Sequence, residues 1–315
     1  MTTQQPSLFP LDGFEPAIPP AQPLLLPSDS LEAALAPFDE YMAQREFAAN
    51  TRASFRNDLK LFLEFVGPQT SLAACSRYKL EEFLEYLQTR RDAPCSDRSL
   101  DRRITTLKVF FGWLAAKEVL RVDPAAPLEH RGAQSPLPQI LTENQVEQVL
   151  TLTRQMRDAA DSPDARPHLL VTLILETAIK KTECLNLALE HIDVSDPAQP
   201  NITIQYERPR QRFKVRRLAV SPEWAHTLEI YLRRYQPKDK LFECTGRNLE
   251  YLLHTIATVA YLPFALTFEM LRWTSAVRSL KAGMDPERLR KRLGLSRIAW
   301  QATWPTLQKL TEGPL

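Results

Sequence analysis

Apolar residues recur at helical spacing through most of the chain. Phe55, Leu59, Phe62, Leu63 and Val66 fall at i, i+4, i+7, i+8 and i+11, which predicts one amphipathic helix ending at Gly67-Pro68. An earlier run, LEAALAPFDEYMAQRE, follows DSLE, where Asp29 stands as N-cap with Glu32 three positions on. KLEEFLEYLQTRR is a third helix. A long fourth carries Leu100, Ile104, Leu107, Phe111 and Leu114 on one stripe. The Pro-containing stretch DPAAPLEHRGAQSPLP then breaks the pattern. LTENQVEQVL restarts it, with Thr142 and Gln145 spaced as a capping box and Leu141 and Val146 as a hydrophobic staple.

Beyond that point the pattern stays helical with one interruption. HLLVTLILETAI and KKTECLNLAL read as a helix, a tight break and a second helix. HIDV, NITIQY and FKVRRLAV are short, rich in β-branched residues and separated by Pro-containing turns, so they predict three strands of a small sheet. SPEWAHTLEIYLRRY resumes the helices with Ser221 as N-cap and Pro222 behind it. RNLEYLLHTIATVAYL, LTFEMLRWTSA, DPERLRKRLG and a Trp-rich tail complete a bundle. The expected fold is mainly α with a small β-sheet. Its expected organisation is a Pro-rich disordered tail (1–29), a four-helix domain (30–120), a linker (121–140) and a second domain (141–315).

Composition narrows the class. Scarce Gly (8 of 315 residues) and a 44% hydrophobic fraction suit a helical globular protein. Cys75, Cys95, Cys184 and Cys244 show no CxxC pair and no Cys/His cluster with zinc spacing, so neither a metal nor another cofactor is expected. Arg45 is the first basic residue, which leaves a secretory leader without its basic region. The longest uncharged stretch, 251–268, contains His254 and Pro263 and is a poor membrane span. A cytoplasmic, nucleoid-associated protein is expected. The net charge of +2 is unevenly spread: residues 31–130 hold 14 bases against 15 acids, and residues 131–315 hold 26 against 20.

In order and spacing these segments resemble the tyrosine recombinase (phage integrase) superfamily, over residues 31 to about 311. TRASFRNDLKLFLEFV and RRITTLKVFFGWLAAKEVLRVDPA are similar to the family's SAM-like core-binding domain. LETAIKKTECLNLALEHIDV resembles its Thr-Gly-x-Arg-x-x-Glu-Leu segment, TFEMLRWTSA its His-x-x-Arg helix, and LRKRLGLSRIAWQATW its Leu-Gly-His motif with the tyrosine following. The resemblance implies a catalytic-like domain in which a tyrosine attacks a DNA phosphodiester. Two arginines and a His or Trp stabilise the phosphoryl charge, and a hairpin lysine protonates the leaving oxygen. This sequence departs at most of those positions. Lys180 replaces the first arginine, without its bidentate fork, and Ala178 replaces the preceding glycine. Glu269 stands for the first His, where it is expected to pair with Arg272 three residues on. Arg272 is the retained arginine, Leu295 replaces the second His, and Trp304 falls at the nucleophile position. No tyrosine follows Tyr261, and the hairpin lysine has no clear match.

Phosphate binding is the function such a site could keep. ERPRQRFKVRR (207–217) places Arg208, Arg210, Arg212, Lys214 and Arg216 on a ribbon whose alternation would align cations on one face. PERLRKRLGLSR gathers further bases near a helix end. The resemblance extends DNA contact, together with Lys180 and Arg272, to Arg52, Arg56, Arg98, Arg102 and Arg103 on two N-terminal helices. Gln5, Leu8 and Phe9 in QPSLF resemble a sliding-clamp docking peptide. The expected function is a catalytically inactive, DNA-binding accessory or regulatory factor in recombination, integration or transposition, encoded by a mobile element. Its partners would be duplex DNA and a second copy or a recombinase. The alternatives are a divergent active site-specific recombinase and an interaction protein that hardly touches DNA.

Overall fold

The computed structural model describes residues 25–90, 93–132, 136–206 and 209–313. The expected tail up to residue 24, the QPSLF peptide with Gln5, Leu8 and Phe9, and Arg208 lie outside the described residues. The chain divides into two compact units between residues 135 and 136.

The first unit holds α1 (Leu31–Gln44), α2 (Ala49–Val66), α3 (Arg77–Thr89) and α4 (Asp97–Ala116). Three serines start three of these helices. The Oγ atoms of Ser30, Ser76 and Ser96 accept from the N–H groups of Ala33, Lys79 and Ser99, satisfying donors a helix start leaves open. The cap of α1 is therefore Ser30, one residue after the expected Asp29, which accepts from Leu26 N instead (2.8 Å). The apolar stripes converge on Phe38, Phe62, Phe83, Phe110 and Phe111, all fully buried. Phe38 meets Phe110 edge-on at 5.1 Å, and Phe62 meets Phe83 at the same separation. One charge is buried with them. Asp58 on α2 accepts from Arg102 and from Thr106 Oγ1 (2.9 Å) on α4, so a satisfied polar contact fixes the two helices beside the aromatic core. The expected linker is packed at its N-terminal side: Ala125 and Leu128 are buried in this core.

The second unit is built round α6 (Arg166–Thr177), buried on nearly every side. It packs against α5 (Glu143–Arg157), α8 (Pro222–Tyr235), α9 (Gly246–Val259) and α10 (Phe268–Lys281). This position explains the unbroken run LLVTLIL, since a central helix has no solvent face. The capping box at Thr142 is formed, and Leu141 and Val146 are buried beside it. Trp224 on α8 is also fully buried, its indole donating to Leu169 O at 3.2 Å. A separate apolar cluster joins α10 to α11 (Pro286–Arg292) and α12 (Arg297–Glu312).

The sheet follows the order β1 (Ile192–Asp193), β2 (Asn201–Ile204), β3 (Arg216–Ala219), antiparallel throughout. Ile202 faces Leu218 in register, and both are buried. The third strand is shorter than its pattern predicts. Pro209–Lys214 forms a 3₁₀ turn, and pairing begins only at Arg216. Proline lacks the N–H a ladder needs and fixes φ in the helical range. The expected ribbon with aligned cations on one face is therefore absent over 209–214.

Between α6 and α7 (Lys181–Leu185) lies the tight break. Ala178 adopts φ 53° and ψ 31°, a left-handed conformation, and its N–H closes α6 on Ile174 O (2.8 Å). The Cβ of an L-residue is unfavourable there by roughly 1–2 kcal/mol. Ala178→Gly is expected to stabilise the protein by about 0.5–1 kcal/mol after the added unfolded-state entropy of glycine is deducted. Thermal unfolding checks this; an unchanged or lower Tm would contradict it.

Candidate functional site

The bend at Ala178 positions the centre of the second unit. Immediately after it, Lys180 opens α7, and the Glu183 carboxylate folds back to accept the Lys180 N–H at 2.8 Å. Glu183 is buried and takes three further donors. Arg216 on β3 grips it with both terminal nitrogens (3.0 and 2.8 Å), and the Tyr206 hydroxyl donates to Oε1. Burial raises the Glu183 pKa, but the Arg216 and Tyr206 donors outweigh it and hold the carboxyl below its ordinary range. Tyr206 responds the opposite way: burial and the adjoining carboxylate keep its phenol protonated well above the usual range.

Cations gather round this carboxylate. Lys180 Nζ lies 3.9 Å from Glu183 Oε1 and donates to Gly294 O at 3.4 Å. Burial, reinforced by Arg272, Arg216 and Lys214, pushes the Lys180 pKa down to about 8 against the attraction of Glu183. Arg272 on α10 turns toward the end of α6, its Nε donating to Ala178 O at 2.8 Å. Burial also lowers its pKa. Lys180, Arg272 and Arg216 thus stand against Glu183 and the exposed Glu269, three cations to two carboxylates, and the site is left net positive.

The structure brings together Lys180, Arg272 and the Gly294-Leu295 turn. Glu269, Arg272 and Trp273 of α10, Leu293 and Leu295 of that turn and Thr303 of α12 line one cavity of about 120 Å³. One expectation needs correction. Glu269 forms no ion pair with Arg272; it is exposed on the first turn of α10 and accepts from the Trp273 indole at 3.4 Å, while Arg272 points inward. Trp304 does not line the cavity. It is half-buried in the apolar cluster of α10–α12, its ring 5.2 Å from that of Trp300.

The hairpin cations divide. Arg216 is consumed internally by Glu183 and Arg292 O, so it does not project outward as a ribbon cation would. Arg212 is exposed, and Lys214 lies over the rings of Tyr206 and Phe213 at 5.4 and 5.5 Å. The side chain of Arg210 lies outside the description. In the first unit Arg52 and Arg56 share Asp39, whose pKa is lowered chiefly by Arg52. Arg102 and Arg103 share Asp58. Among these five, Arg98 alone is exposed without an ion pair among the described residues. The partner acids sit on other helices, where local charge patterns do not reveal them. Sequence reading also missed Glu183 and Tyr206. For Glu183 a signal existed, since an acid three residues after a helix N-cap is the capping-box spacing.

Residues 35–118 match the model of the phage integrase N-terminal SAM-like domain. The chain is 24% identical over 265 residues to tyrosine recombinase XerC of Listeria welshimeri, covering 80% of this chain and 85% of that one. It is 24% identical over 280 residues to XerC of Anoxybacillus flavithermus, covering 83% and 89%. Its fold is similar to that of the XerH site-specific recombinase bound to palindromic difH substrate (TM-score 0.68, 16% identity, 92% of this chain and 95% of that one). It is also similar to the Tn1549 transposon integrase in complex with a circular intermediate DNA (TM-score 0.66, 14% identity, 89% and 95%). Domain match, relatives and fold agree: residues 35–118 match the phage integrase SAM-like domain, and over four-fifths of its length the chain is similar to tyrosine recombinases.

Proposed function

We propose that this protein binds duplex DNA without cleaving it and acts as an accessory or regulatory factor in recombination, integration or transposition. One observation carries the loss of cleavage. At the position matching the family's nucleophile, Trp304 packs against Trp300 inside an apolar cluster. An indole offers no oxygen to attack phosphorus. Tyr206 lies closer to the cationic centre, but its hydroxyl is held by Glu183 and its phenol stays protonated. The surroundings favour phosphate binding, since Lys180 and Arg272 keep a net positive pocket and Arg212 extends the charge to the surface.

A second reading, an interaction protein that assembles with recombinases and hardly touches DNA, is favoured by the first unit. Arg52, Arg56, Arg102 and Arg103 are already paired with acids there. Salt dependence separates the two. For the DNA-binding reading, log affinity for duplex DNA falls steeply with log salt, and Arg212→Ala with Lys214→Ala reduces the slope by roughly two units at every sequence tried. An unchanged slope and affinity in that double variant would favour the interaction protein.

Lys180 gives the binding a pH signature. Its pKa lies near 8 in the fold against an ordinary 10.5, so the ammonium is present below that value and lost above it. A bound phosphate favours the charged form and moves the transition upward. Wild-type affinity for duplex DNA is therefore expected to fall between pH 7 and 9.5, whereas Lys180→Arg stays flat because guanidinium keeps its charge. Identical pH profiles for the two proteins, measured by fluorescence anisotropy, would remove Lys180 from the interface.

A further inference from the structure

The second unit carries another concentration of positive charge, separate from the Lys180 pocket. Two adjoining cavities of about 340 and 710 Å³ share Met284, Arg288 and Arg292 in their walls. The smaller lies between β3 and α11, against Leu218 and Ala219; the larger runs along the end of α10 past Ser275 and Ser279. Some of the bases in these walls are neutralised. Arg216 holds Glu183, Arg217 pairs with Asp193 at 2.8 Å, and Arg278 pairs with Glu143 at 3.0 Å.

The remaining four are different. Lys281, Arg288, Lys291 and Arg292 form no ion pair among the described residues. All four come from the short stretch that ends α10 and forms α11. Arg292 sits at the junction of the cavities and is held rigidly by neutral acceptors. Its Nη1 donates to Ser279 Oγ at 2.6 Å, and its Nη2 to Glu176 O and to Ser275 Oγ at 3.4 Å. The nearby Glu176 carboxylate is occupied by the N–H and Oγ of Ser221, both at 2.7 Å. Burial disfavours the charged form of Arg292 against the attraction of the Glu176 carboxylate, and neighbouring Arg288 adds to the effect of burial. A rigid half-buried guanidinium flanked by two exposed flexible cations is an arrangement that receives a multiply charged oxyanion.

We propose that this groove is a binding site for phosphoryl groups, with Arg292 as its fixed base and Arg288 and Lys291 closing on the ligand from its rim. The inference stands apart from the reading of the Lys180 pocket, because it uses none of that pocket's cavity-lining residues. Two sources could supply the ligand: a free polyphosphate such as the chain of a nucleotide, or the backbone of DNA.

The experiment titrates the full-length protein with inorganic tripolyphosphate by calorimetry, and with duplex DNA by anisotropy over a range of salt. Arg288→Glu with Lys291→Glu is compared with Lys180→Met and wild type. Arg288 and Lys291 are exposed, and circular dichroism checks that the double variant is folded. For a free polyphosphate, the double variant loses at least tenfold in tripolyphosphate affinity relative to wild type, whereas any binding lost in Lys180→Met reports occupancy of the other pocket. For DNA backbone, the double variant lowers duplex affinity and reduces the salt slope by roughly two units. Tripolyphosphate binding that survives in the double variant or vanishes only in Lys180→Met would overturn the site, as would failure of both probes to distinguish the double variant from wild type.

Discussion

A single buried carboxylate organises the second unit. Glu183 ties the start of α7 to β3 through Arg216 and to the end of β2 through Tyr206. Taking a carboxylate out of water is unfavourable by several kcal/mol unless its lone pairs are filled, and here they are filled by donors from three segments of the chain. Arg216 in turn reaches Arg292 O, so the same contact positions the turn that follows α11. Removing either Glu183 or Arg216 would strand the other as a buried charge, which makes this pair the contact on which Lys180, Gly294 and the Arg272 side of the pocket depend.

That arrangement explains why the pocket can be chemically altered and still be positive. Glu183 is already matched by Arg216, so the charges of Lys180 and Arg272 are surplus to it. The losses lie elsewhere. Glu269 has moved to the solvent side of α10, Leu295 offers no proton, and Trp304 has joined an apolar cluster. On the proposed reading the replacements share a direction: at these matched positions no side chain is left to transfer a proton or attack phosphorus, whereas Lys180 and Arg272 would still attract phosphate. The strained Ala178 fits the same picture. It retains the left-handed turn that presents its carbonyl to Arg272, although its side chain disfavours that conformation.

Much of the fold could be read from local pattern. Helix stripes, serine and threonine caps and the run of α6 each follow from nearest neighbours on one element, so α1 to α6 and α8 to α12 appear where periodicity places them. The third strand was legible only in part, because the turn that begins at Pro209 runs on through Lys214 and pairing starts only at Arg216. Lys180, Arg272 and Leu295, each placed by a motif, come together round the Gly294-Leu295 turn, whereas Trp304 packs away from the cavity that Arg272 and Leu295 line. The site was not legible where a tertiary partner decides a charge. Arg52 and Arg102 look like free cations in sequence, yet Asp39 and Asp58 meet them across helix packing that no spacing rule specifies. The pairing expected between Glu269 and Arg272 failed for the same reason: three-residue spacing allows it, but the end of α6 offers Arg272 a better acceptor.

The central claim is that the fold has kept phosphate attraction and lost the nucleophile. It is tested most directly by intact-protein mass after incubation with a nicked suicide duplex that traps any covalent intermediate. The account predicts one species at the mass of the 36.1 kDa chain, alongside retention of the same duplex by non-covalent binding. A second species heavier by the mass of the trapped strand would contradict it, and loss of that species in Tyr206→Phe would identify the attacking group.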